Sequence, residues 1–93
     1  MKRLLLKSSA FVRSAKRTVR RNPQLAEVLR AVLELLAEDA FHPSLKTHKL
    51  QGNLEGSWSC SAAYDLRIVF SFVQDSGAEA ILLEAVGTHD EVY

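Results

Sequence analysis

Apolar and polar positions change period along the chain, and the changes mark its elements. Leu4, Leu5 and Leu6 form a short apolar run that predicts a first strand, with Ser8 or Ser9 next to it as a helix cap. Phe11, Ala15 and Val19 then recur every four residues with Val12 beside them. Arg13, Lys16, Arg17, Arg20 and Arg21 fall mostly on the other side, which predicts a basic amphipathic helix. Asn22-Pro23 marks a break and a restart, with asparagine expected as the cap and proline in the first helical position. Leu25, Val28, Leu29, Val32, Leu33 and Leu36 trace one face of a second helix, which should stop near Asp39, ahead of His42-Pro43.

From Phe41 to Gly56 the periodicity disappears. A connection of that length is uncommon in a small domain and is often functional. Period-two alternation follows in Trp58, Cys60 and Ala62, then in Leu66, Ile68, Phe70 and Phe72, predicting two strands. "QDSG" reads as a turn. "AEAILLEAVG" reads as a last strand, apolar on both sides from Ala80 to Val86 and therefore expected inside the sheet. The predicted order is β-α-α-β-β-β, an α+β domain spanning residues 1–93, in which the two helices form a hairpin.

Composition narrows the class. Of 93 residues, 47% are hydrophobic and 25% charged, ordinary values for a folded domain. No apolar run approaches the roughly 18 residues of a membrane span, and Lys7 interrupts the first apolar run too early for a signal peptide. Cys60 is the only cysteine, so no intrachain disulfide is possible; the alternation around it points to burial, and a reducing, cytoplasmic setting is expected. The net charge of +1 hides a division: residues 1–30 hold nine Lys or Arg against Glu27 alone, and residues 31–93 hold three against ten acids. So basic an opening segment suits contact with nucleic acid or simply a solvated helix face.

The chemistry-bearing residues gather late, in "HKLQGNLEGSWSCSAAYDLRIVF" and the closing "GTHDEVY". Those segments, with the order of elements, resemble the RelE/ParE superfamily of toxins from bacterial type II toxin-antitoxin modules, closest to its YafQ branch. The resemblance covers nearly the whole chain. It implies a small, mostly antiparallel sheet with the N-terminal helical hairpin on one face. The implied activity is cofactor-free and metal-independent cleavage of messenger RNA in the A site of the 70S ribosome, by 2'-hydroxyl attack. A cognate antitoxin would neutralise the toxin with an apolar and partly basic segment, and would itself supply any DNA contact.

Position by position, His48 matches the histidine of the YafQ HxL element, Asp65 its strand-opening aspartate, His89 the histidine of GTH and Tyr93 the aromatic four residues later. Arg67 sits where RelE proper places a phosphate-contacting arginine. Two positions depart: Ser61 stands where YafQ has a further histidine, and Leu66 where it has tryptophan. RelE works largely with lysine and arginine, so the reduced set is compatible with catalysis. Internal phosphodiester transfer needs a base, an acid and positive charge at the phosphorane, roles suited to two imidazoles and a guanidinium. Lys46 and Lys49 flank His48 and are candidates for the RNA backbone; Arg13, Lys16, Arg17, Arg20 and Arg21 are candidates for ribosomal RNA.

Two other readings share the fold: a ParE-like toxin that binds a topoisomerase, and a decayed toxin that binds only its antitoxin. His48 and His89 weigh against the first, and Ser61 is the argument for the second. A metal site has little support, since no His or Cys pair has short zinc-ligand spacing.

Overall fold

The computed structural model describes residues 2–93. Strand β1 (Leu5–Lys7) leads into helix α1 (Ser9–Arg21), which starts where Ser8 accepts a hydrogen bond from the Phe11 N–H at 3.0 Å. Phe11 and Ser14 are buried against the sheet, while Arg13, Lys16, Arg17, Arg20 and Arg21 face solvent. Asn22 does not cap the second helix. It ends the first, its N–H donating to the Thr18 carbonyl, and helix α2 (Leu25–Glu38) begins only after Pro23 and Gln24. The restart takes one further turn, closed by Leu25 donating to the Asn22 carbonyl. The expected stop at Asp39 is observed.

The long connection is partly ordered. A single turn over Pro43–Leu45 drives Leu45 into the core, and a two-residue strand, β2 (His48–Lys49), lies on the sheet edge. The remaining elements are a second single turn over Gly52–Leu54, β3 (Trp58–Ala63), β4 (Leu66–Asp75), β5 (Ala78–Gly87) and a four-residue helix, α3 (His89–Val92). Two residues are too few to show an alternation, which is why β2 is missing from the predicted order. Strand order is β1-β5-β4-β3-β2, with β1 parallel to β5 and every other pair antiparallel. Ser76 and Gly77, both at positive φ, form the tight β4–β5 turn.

One irregularity explains the doubly apolar look of β5. Val69 pairs with Ala85 but Phe70 pairs with Leu83, leaving Glu84 as the extra residue of a β-bulge. The bulge resets the alternation, so Ile81, Leu83 and Val86 all point to the helices and join Phe11, Leu29, Leu36, Leu45, Ile68 and Phe70 in the core. Ser14 ties helix to strand within this core by accepting from the Val86 N–H at 3.0 Å. Cys60 is fully buried there and burial pushes its thiol up to about 12, so it packs as an inert side chain. The helices cover one side of the sheet, and the other side is free to hold a site.

Candidate active site

Strand register decides which side chains meet on the uncovered face. His48 pairs with Ser59, which pairs with Val69; one step along, Ser61 pairs with Arg67, which pairs with Gly87. Directly paired residues share a face, so His48, Ser59, Ser61 and Arg67 stand together, opposite Ile68 and Phe70. His48 is exposed and its Nδ1 lies 3.0 Å from the Lys46 carbonyl. A carbonyl only accepts, so Nδ1 carries the proton and the Nε2 of neutral His48 keeps its lone pair. His42 behaves differently: its Nδ1 accepts from the Ser44 N–H at 3.1 Å, a local cap with no link to the site.

The end of the chain folds back onto this face. Thr88 and Glu91 form a reciprocal capping box at the start of α3. Gly87 permits it, because a Cβ there would come within 2.8 Å of Glu91 Oε1 and 3.1 Å of Glu91 Cβ. Glu91 also pairs with Arg21 at 2.7 Å, and its carboxyl is held below the usual range by the Thr88 N–H first and by Arg21 next. Asp65, in left-handed backbone at the β3–β4 turn, accepts from the His89 N–H at 3.2 Å. With α3 so placed, Tyr93 donates its hydroxyl to the fully buried Ser59, and the His89 ring stands edge-on to the Tyr93 ring at 4.6 Å. Ser59 therefore sits between His48, its strand partner, and the terminal phenol.

Arg67 is half-buried and donates to the Ala63 and Leu66 carbonyls at 3.4 and 3.3 Å. Among the described residues no carboxylate lies within ion-pair distance of it, so the ion pair with Asp65 that their neighbouring positions suggest does not form. Its guanidinium borders a cleft of about 420 Å³ shared with Ser44, Lys46, Ser61, Tyr64 and Asp65. At the far end of the same face Glu84 is held by the Ser57 hydroxyl at 2.7 Å, so the face is not uniformly cationic.

His48, Arg67, His89 and Tyr93 thus come to one face, with Asp65 at its edge bonded to backbone and not to an imidazole. Lys46 joins the cleft. Lys49 does not: it pairs with Trp58, and its ammonium sits 5.6 Å from that ring, on the helix-bearing side. Arg13, Lys16, Arg17 and Arg20 are exposed on α1, also across the sheet from the cleft, and Arg21 is engaged with Glu91. Ser59 and Tyr64 escaped the reading of the sequence. The period-two serines of "SWSCS" were a usable signal for the first; nothing beyond an aromatic in a turn marked the second. Among the described residues no group of three or more His, Cys, Asp or Glu is disposed to hold a metal ion.

A five-stranded mixed sheet of this order, with helices on one face and a polar site on the other, is the architecture of RelE-superfamily toxins. Within that class, residues 4–93 match the family described as bacterial toxin of type II toxin-antitoxin system, YafQ, and the chain belongs to it. Solved structures agree in fold. YafQ from E. coli strain BL21(DE3) superposes with a TM-score of 0.78 at 18% identity, covering 99% of each chain. A metal-bound toxin from Helicobacter pylori gives 0.74 at 25% identity over the whole of both chains. The E. coli DinJ-YafQ toxin-antitoxin complex gives 0.76 at 19% identity, covering 100% of this chain and 99% of that one. No individual curated protein matches by sequence. No helix among the described residues is long and apolar enough to cross a membrane.

Proposed function

We propose that this toxin is an endoribonuclease that cuts messenger RNA in the ribosomal A site. The observation that carries the reading is the shared face: His48 with a free Nε2, Arg67 without a carboxylate, and His89 and Tyr93 brought in by α3. In the reaction, His48 Nε2 takes the proton of the 2'-hydroxyl as its oxygen bonds to the adjacent phosphorus. The bond from phosphorus to the 5'-oxygen breaks, and His89 in its protonated form gives that oxygen a proton. The products are a 2',3'-cyclic phosphate and a 5'-hydroxyl end. Arg67 faces the non-bridging oxygens as they gain charge, and its planar fork suits them. Tyr93, whose hydroxyl is engaged by Ser59, offers its ring for stacking on a base, and Asp65 acts by holding α3 in place.

The DinJ-YafQ complexes support a cognate antitoxin as partner; the ribosome and its message are the substrate this reading requires, and DNA would be reached only through the antitoxin. The exposed cations Arg13, Lys16, Arg17 and Arg20 suit ribosomal RNA, a contact that should weaken with salt. The test adds purified toxin to translating ribosomes carrying a defined message and maps the new RNA ends. Cuts in the A site with cyclic phosphate termini are expected. His48→Ala and His89→Ala should each lower the rate by about 10² to 10⁴, and Arg67→Ala by about 10² to 10³. An intact message with inhibited gyrase would replace this reading by a topoisomerase-binding one, and neither effect would leave only antitoxin binding.

A further inference from the structure

Tyr64 is an anomaly of the β3–β4 turn. The residue is 101% exposed, and it takes part in no hydrogen bond or ring contact among the described residues. Two-residue hairpin turns ordinarily use Gly, Asn or Asp, so a bare aromatic at the tip gains nothing for the fold. Yet the turn itself is firmly held. Ala63 pairs with Leu66 across it, and Asp65 fastens it to α3 through the His89 N–H. A large flat ring is therefore held out in water on a rigid base, at the rim of the cleft that contains Arg67.

The cleft has the matching chemistry. Lys46 and Arg67 face it with Asp65 as the opposing charge, and Asp65 is already engaged by a backbone N–H. Ser44 and Ser61 add hydroxyls. Strand β2 pairs only with Trp58 and Ser59, so the outer edge of β3 over residues 61–63 has no strand neighbour and turns its backbone toward the same space. Its volume of about 420 Å³ lies within the range of about 300 to 1,000 Å³ usual for small-ligand sites.

We propose that this cleft is a subsite for one nucleotide next to the scissile bond: its base stacks on Tyr64 and its phosphate lies between Lys46 and Arg67. The assignment rests on the nuclease reading and adds a substrate-contact residue to it. Stacking on an aromatic face tolerates any base. The larger ring system of a purine covers more of Tyr64 and should be favoured.

The experiment uses the full chain with translating ribosomes and compares wild type, Tyr64→Ala and Tyr64→Phe on messages that vary the nucleotides flanking the cut. Tyr64→Ala should lower kcat/KM by about tenfold, chiefly through KM and most on purines, while Tyr64→Phe retains the wild-type value. A message abasic at the responsible flank should bring wild type down to the Tyr64→Ala level. Because Tyr64 is fully exposed and makes no hydrogen bond or ring contact among the described residues, its variants should unfold at the wild-type denaturant concentration, separating contact from folding. Equal kcat/KM for wild type and Tyr64→Ala on every message would overturn the subsite and leave the nuclease standing. Failure of the wild type to cut any message would remove the nuclease reading and this subsite with it.

Discussion

The two faces of the sheet are specified by different physics. Beneath the helices, positions are fixed by burial: Ile68, Phe70, Ile81 and Leu83 are fully excluded from water, and Ile68 and Phe70 recur at a period that the sequence displays. On the uncovered face, His48, Ser59, Arg67 and Tyr93 are brought together by register, turns and one short helix, none of which leaves a periodic trace. A core tolerates many apolar substitutions of similar volume. The uncovered face depends on single backbone and polar contacts, such as Gly87 against Glu91 or Asp65 against His89.

Substitutions can sharpen that contrast. Phe70→Ala should be the most damaging, costing about 3 to 5 kcal/mol of stability, read from denaturant unfolding; His48→Ala, on the exposed edge, should unfold as wild type does. A large stability loss in His48→Ala would mean that the two faces are not independent. Gly87→Ala should act in between. Its methyl group forces α3 aside, so cleavage should fall by as much as about 10²-fold, while stability falls by no more than about 1 to 3 kcal/mol.

The smallest effect belongs to Glu91. Its carboxyl lies below its ordinary value of 4.5 in the folded protein, so its contribution is present above that pH and is lost as pH falls through the lowered value. The wild-type melting temperature should therefore drop more than that of Glu91→Gln on acidification, by an amount corresponding to less than about 1 kcal/mol. Parallel pH profiles for the two proteins would show that the tether to Arg21 contributes nothing measurable.

The same division explains what was legible in the sequence. Both helices and strands β3 and β4 follow from periodicity, as does the burial of Cys60, and β5 follows from its apolar run. Strand β2 and helix α3 are too short to carry a period, and Asn22 has the chemistry of either cap, so only the fold shows that it closes α1. At the site, His48, Asp65, Arg67, His89 and Tyr93 came from matched motifs; residue spacing alone would not have joined them. Neighbouring positions misled for the Asp65–Arg67 ion pair and again for Lys49. His48 and Lys49 are adjacent in an extended strand, and adjacent strand residues point to opposite faces, which sends Lys49 to Trp58. Asp65 could be placed at the strand opening, but its left-handed backbone and its bond to His89 arise from the turn it makes.

Strand β1 is parallel to β5, with Leu5 beside Ile81 and Leu6 beside Leu82, so the sheet joins segments far apart in sequence. At a synthesis rate of about 5 to 20 residues per second, β1 waits several seconds on the ribosome before its neighbour β5 has been made. Until then its backbone groups are unpaired, and His89 and Tyr93 do not yet exist. The newborn chain therefore completes its sheet only once β5 has been made, just before the residues of α3 that follow it.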